Sequence, residues 1–225
     1  DLNVSDVIHM QAGVVQGHFR GGRNTEVTYL IDGIKVDEGF ASEGQAVALE
    51  PDAVSEIEVI IGTFNAEYGK AMSGVVNQIT KSGTNNFEGA TSFSYANYLT
   101  PNSDIFPGIN QFSLNSNQDY RLQIGGPILR DKLFFFLNYK VGSYNNHLNG
   151  FNYFEPSDQS DYSSDNPDEW ISENSGDSSL VAMNISKNSS LMGKLKFVIN
   201  DKWKTSFLFT NNIGEWHPYS HAFRY

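Results

Sequence analysis

The sequence predicts an α+β domain followed by antiparallel strands of a transmembrane β-barrel. Three observations carry that prediction. Up to about Gly83, short apolar strands are punctuated by Gly and by a Pro-led turn. From Phe87 onward apolar and polar residues alternate with period two, in runs close to the roughly nine to eleven residues that cross an outer membrane at a tilt. The connections between those runs alternate long and short, as external loops and inner turns of such barrels do.

In the first region, "NTEVTYLIDGIKVDEG" sets Val27, Tyr29 and Ile31 on one strand face, turns at Asp32-Gly33 and resumes with Ile34 and Val36. A Gly that accepts positive φ makes this a hairpin signal. In "LEPDAVSEIEVIIG", Pro51 opens a short helix, after which Ile57, Val59 and Ile61 alternate with Glu58 and Ile60 as a strand. "SGVVNQIT" is a third apolar strand, and Thr80 ends the region's regular structure.

The period-two strands follow in order: Phe87 to Asn97, Asp119 to Gly125, Leu133 to Val141, Leu191 to Ile199, and Trp203 to Asn211. The first link is long and polar, "GGPILRDK" is short, the third is very long and acidic, and "NDK" is a tight turn. Each strand has an apolar and a wet face. The longest apolar run, Leu133 to Leu137, is far shorter than the roughly 18 residues of a spanning helix. Five strands do not close a barrel, and an open edge in hydrocarbon leaves backbone groups unpaired. The chain is therefore expected to be part of a larger barrel.

Composition narrows the chemistry. With 15 Lys+Arg against 26 Asp+Glu and a net charge of -11, a nucleic-acid partner is not expected. The absence of Cys excludes disulfides and thiolate metal sites from these residues. Asp32-Gly33 lacks the Ser or Thr of an aspartic-protease motif, and "HFRGGRN" lacks the Lys-Ser/Thr of a phosphate loop. No nucleophile and base stand out, so no enzyme and no cofactor are expected. Asp161, Asp165, Asp168 and Glu169 are spaced to offer oxygens to Ca²⁺ but lack the EF-hand pattern, and a solvated loop is the simpler reading. His217 and His221 are four apart, but Pro218 opposes the helix that would make them a metal pair. Ordinary loop histidines are the simpler reading, and Trp216, Tyr219, Phe223 and Tyr225 near them form either an interfacial aromatic girdle or a ligand-stacking surface, with His217 and His221 beside it.

"FRGGRNTEVTYLIDGIKVDEG", "EIEVIIGTFNAEYGKAMSGVVNQITKSGTNNFEG" and "IGGPILRDKLFFFLNYK" resemble, in that order, the later plug domain and first barrel strands of TonB-dependent outer-membrane transporters. The "GGPILRDKLFFF" stretch is most similar to the large-loop subgroup whose members often begin with a carboxypeptidase-regulatory-like domain. Glycan importers usually carry Lys-Asp-Ala before the Tyr-Gly; Gly62-Thr63-Phe64 stands there instead. The resemblance implies a 22-stranded-type barrel, with residues 1–83 the C-terminal part of the plug and 84–225 the first wall strands and loops. Lys81, Ser82 and Gly83 are then the hinge that turns the chain from lumen to wall.

The resemblance further implies a bacterial outer-membrane location, contact with outer-membrane lipid, and uptake of a ligand such as a peptide or glycan. It implies a TonB-type energy-transducing partner, whose contact segment is expected before Asp1. Plug arginines are expected to pair with wall carboxylates, and Arg20 and Arg23 are the candidates because they flank Gly21-Gly22. The alternatives are a secreted soluble β-rich binding or adhesion protein that uses the acidic loop, and a barrel kept mainly as a surface receptor or assembly component.

Overall fold

A computed structural model of the chain describes residues 4–10, 14–15, 18–19, 26–36, 47–61 and 74–219. They divide into two compact units, one of Asp1–Thr91, Arg121–Lys140 and Ser190–Asn212, the other of Ser92–Tyr120, Val141–Ser189 and Ile213–Tyr225.

The first unit opens with α1 (Val4–His9), then β1 (Val14–Val15) paired antiparallel with β2 (His18–Phe19). β3 (Val27–Ile31), β4 (Ile34–Lys35), β5 (Val54–Ile61) and β6 (Gly74–Thr80) form a sheet in the order β4-β3-β6-β5. β3 is parallel to β6 and antiparallel to β4, and β5 is antiparallel to β6. The β3–β4 connection has Asp32 at φ 49 and Gly33 at φ 82. Two left-handed residues give a turn whose twist matches that of the strands, as the Asp-Gly pair predicted. Pro51 opens a 3-10 turn, Pro51–Ala53, ahead of β5. Val4, Ile8, Val14, Phe19, Val27 and Val76 bury together, with the apolar side chains of β5 against them.

Beyond this small sheet come β7 (Glu88–Ala96), β8 (Asn117–Leu129) and β9 (Leu133–Tyr144). A loop then holds β10 (Asn149–Phe151), β11 (Ser160–Asp161), β12 (Ile171–Ser172) and β13 (Leu180–Ala182), before β14 (Ile185–Val198) and β15 (Lys204–His217). The long strands form one open sheet, ordered β15-β14-β9-β8-β7. Contacts such as Thr91 with Arg121, Gly125 with Phe136, and Ser190 with Asn212 fix antiparallel registers. The alternation of long and short connections holds.

Four strands exceed the expected runs, β9 by the three residues to Tyr144. β8 continues through Gly125 to Leu129, a stretch that Gly-Gly-Pro makes read as a turn, and the actual turn is Arg130-Asp131-Lys132. Pro127 is tolerated because Gly89 lies against Gln123 and Ile124, which places Pro127 beyond Glu88, the first residue of β7. A missing N–H costs no ladder bond there. β14 starts six residues before Leu191 and β15 runs six past Asn211.

The faces of the long sheet differ. Leu122, Ile124, Tyr139, Leu195, Phe197, Phe207 and Phe209 are exposed on one side. The other side is not simply wet, as expected: Phe136 of β9 and Met192 of β14 are buried with Ile31, Leu49 and Ala53 of the small-sheet region, and Val54 and Leu208 pack against them. Burying two such side chains contributes about 3–6 kcal/mol.

In the second unit, the acidic loop is more structured than its composition suggested. β10 pairs with β13 and β11 with β12. Its carboxylates accept hydrogen bonds from nearby turns. Asp158 receives the Glu155 and Ser175 N–H groups and the Ser175 hydroxyl, and Asp177 receives the Ser179 N–H and the Asn152 amide. These hydrogen bonds, led in each case by the serine, hold Asp158, Asp161 and Asp177 below the usual carboxylate pKa. Asn146 ties the loop base to Asn117 and Asn184, and Tyr144 donates to Asp119 at 2.8 Å.

Candidate functional site

Three adjacent long strands each send one cation to a carboxylate of the small-sheet region, all within the first unit. Lys194 of β14 lies 2.8 Å from Asp32, Lys140 of β9 lies 3.0 Å from Glu50, and Arg121 of β8 lies 3.4 Å from Asp52. The pairs are graded by burial. The Lys194 side chain is 7% exposed and that of Asp32 18%, whereas Arg121 and Asp52 are 25% and 39% exposed.

The Lys194 pair is also the most connected. Its ammonium donates to the Thr80 hydroxyl at 2.7 Å, while Asp32 accepts the Thr80 N–H at 2.9 Å and its hydroxyl at 2.7 Å. One buried lysine therefore holds both the β3–β4 turn and the last residue of β6. Burial pushes the Asp32 pKa up, but the hydrogen bonds from Lys194 and Thr80 and the charge of Lys194 outweigh it and leave the carboxyl below its ordinary value.

Residues 81–86 connect β6 to β7. The Lys81 N–H donates to the Ala53 carbonyl at 2.9 Å and its ammonium lies 3.3 Å from Gln123 of β8. Gly83 is buried, and a methyl group on it would collide with the Phe135 carbonyl oxygen and lie 2.7 Å from that of Gly126. The connector thus crosses β8 and β9 backbone to backbone, which only Gly permits. On β8, a methyl group on Gly126 would strike the Phe87 ring. The Gly-Gly of "IGGPIL" is room for the crossing chain rather than a turn. Further on, Asn85 and Asp131 exchange hydrogen bonds, amide to carboxylate at 2.6 Å and N–H to side-chain oxygen at 2.9 Å. Asp131, at φ 61, takes the left-handed conformation that Asp tolerates.

The other expected site residues are dispersed. Arg20, Arg23 and His221 lie outside the described residues. Among the described residues, the ion pairs between the long strands and the small-sheet region join Arg121, Lys140 and Lys194 to Asp52, Glu50 and Asp32. Trp216 and His217 are exposed near the end of β15, His217 standing 3.6 Å from Glu215, and Tyr219 is half-buried just beyond. Asp161, Asp165, Asp168 and Glu169 do not converge: no metal-holding group of three or more acidic or His side chains occurs among the described residues. Asp161 caps Ser163 and Glu169 accepts the Ser164 hydroxyl. The sequence did hold a signal for the three cations, since each sits in the polar phase of an otherwise apolar-alternating strand.

Two outcomes follow from this geometry. Gly83→Ala lowers stability in detergent by about 2 kcal/mol or more, whereas Gly193→Ala, whose added carbon meets only Leu137 at 4.0 Å, leaves it nearly unchanged; thermal melts of the two variants compare them. Asp32→Asn strands the buried Lys194 and costs about 3 kcal/mol, and adding Lys194→Met recovers about 1–3 kcal/mol as coupling. Because the folded Asp32 carboxyl titrates below its unfolded value of 3.8, its stabilisation is present above that pH and is lost as pH falls through the folded value. Melts over that acid range show a step that Asp32→Asn removes.

Residues 79–208 match the outer membrane beta barrel domain, and residues 2–76 match the TonB-dependent receptor plug domain. The TonB-dependent transporter Oar of Myxococcus xanthus is 28% identical over 200 residues, which cover 83% of this chain and 18% of that protein. The chain therefore spans less than a fifth of that curated relative's length. A variant of the ferric enterobactin receptor from Pseudomonas aeruginosa, in complex with enterobactin, has a similar fold, with a TM-score of 0.54 and 19% identity over 94% of this chain and 31% of that one. The outer membrane transporter YddB from Escherichia coli gives a TM-score of 0.54 and 12% identity over 93% and 30%. The barrel-domain match takes in more than half of the 225 residues, and the chain belongs to the TonB-dependent receptor family of the bacterial outer membrane.

Proposed function

We propose that the protein containing this chain takes up a ligand through a plugged barrel, energised by a TonB-type partner in the inner membrane. Residues 1–83 act as plug and 84–225 as wall strands and loops, with Lys81, Ser82 and Gly83 as the hinge between them. The observation that carries this reading is the docking of the small sheet on the inner face of β8, β9 and β14 through three ion pairs and one apolar cluster. A plug has to hold against leakage and yet give way under force. Ion pairs of graded burial suit that need, because exposed ones contribute only about 0–1 kcal/mol and re-form readily in water.

The ligand, a peptide or a glycan, is captured by the external loops. Trp216, His217, Tyr219 and His221 are the candidate contacts. Trp216 shares the even-numbered parity of Leu208 and Asn212 along β15, which favours a ligand-facing role over a lipid-facing girdle. Arg20 and Arg23 add to the plug's attachment. The soluble binding-protein alternative is not favoured, since the exposed Leu and Phe rows of β8, β14 and β15 suit lipid better than water.

A cysteine placed at Ser82 in the full-length receptor reports on the hinge. Labelling by a membrane-impermeant maleimide in spheroplasts is expected to rise when the inner membrane is energised and to fall back when the proton gradient is collapsed. Labelling indifferent to the gradient and to loss of the TonB-type partner would contradict energised uptake.

A further inference from the structure

A second cluster adjoins the Asp32–Lys194 pair, at the end of β14 and β15 nearest their short connection. A cavity of about 230 Å³ is lined there by Asp32, Ser82, Lys194, Lys196, Lys204, Thr205 and Ser206. Its lining is unbalanced: three lysines stand against one carboxylate, and that carboxylate is already held by Lys194. The register explains why they meet. Ile199 bonds to Trp203 and Ser190 to Asn212, so Lys196 falls opposite Ser206, and Lys204 lies two residues along on the same face. That is the inner face, which Met192 and Lys194 also occupy. The hinge contributes Ser82 to the lining.

We propose that this pocket binds an oxyanion of the phosphate class. Two like charges on neighbouring strands repel each other, and an anion between them turns that repulsion into attraction on both sides. Lysines act as point-charge donors to phosphate oxygens, which accept several charge-assisted hydrogen bonds at once. The hydroxyls of Ser82 and Ser206 are neutral donors that complete the set. A bound oxyanion joins the hinge to β14 and β15, beside the Asp32–Lys194 pair and in addition to it. The site lies at the short-turn end of the strands, which in an outer-membrane barrel is the periplasmic end, so its ligand comes from the periplasm or is carried on a molecule leaving the lumen.

The test uses the full-length receptor in neutral detergent, with radiolabelled inorganic phosphate in equilibrium dialysis at fixed ionic strength. Saturable binding is expected, weakened at least about tenfold by Lys196→Gln with Lys204→Gln and unchanged by Lys187→Gln, an exposed lysine at the other end of β14. Ser206→Ala removes one hydroxyl without altering charge and is expected to weaken binding severalfold, which keeps the test decisive if the double variant does not fold. A second arm replaces inorganic phosphate with glycerol phosphate. Equal affinity assigns the pocket to phosphate carried on a larger molecule, and preference for the free ion assigns it to inorganic phosphate. Wild-type affinity in both lysine and serine variants, or complete loss of binding when chloride replaces the inert salt, would leave only a diffuse ion atmosphere and overturn the proposal. Neither result bears on energised uptake, which the Ser82 labelling tests separately.

Discussion

A β-strand puts neighbouring residues on opposite faces, and in β8, β9, β14 and β15 those faces serve different surroundings. One carries exposed Leu, Phe and Tyr side chains suited to lipid. The other meets a folded sheet of the same chain through Phe136, Met192, Arg121, Lys140 and Lys194. The rest of the structure depends on this division. A one-residue slip in any of these strands would carry its inward-facing cation toward hydrocarbon and its outward apolar residues into the interior.

The same division explains the kind of contact found inside. An entirely apolar inner face would fuse the small sheet to the wall, and an entirely charged one would hold it weakly. The observed face combines one buried apolar cluster with three ion pairs that lie progressively nearer solvent from β14 to β8. Asp32 shows how closely turn and contact are linked. Its left-handed backbone makes the hairpin, while its carboxylate gathers Thr80 and Lys194. The crossing at Gly83 adds a covalent constraint, because the connector passes so close to Gly126 and Phe135 that no side chain fits.

Much of this was legible in the sequence, and for physical reasons. The Asp32-Gly33 pair announces its turn locally, and the period-two alternation announces β7, β9 and β14 because their two faces differ in polarity. Other features are not local. Lys194 and Asp32 are 162 residues apart, and nothing in either neighbourhood marks the other as its partner. Gly125 and Gly126 read as a turn because their real cause, the close approach of Gly83, lies elsewhere in the chain. α1 has six residues, too few to show a helical period. The extension of β14 back to Ile185 is not marked by alternation, because Ser186 to Ser190 are polar on both faces. The cations that pair between the two sheets, Arg121, Lys140 and Lys194, all come from the long strands, whose polar phase marks each as inward-facing but names no partner.

In β14, alternate residues face lipid and the packed interior. A nitroxide scan of Gly193 to Val198 in the full-length receptor, reconstituted in lipid, tests this most directly. Oxygen accessibility is predicted to peak at Leu195 and Phe197 and to fall at Lys194 and Lys196, with the lowest mobility at Lys194. Uniform accessibility along the segment, or an alternation of opposite phase, would contradict the account.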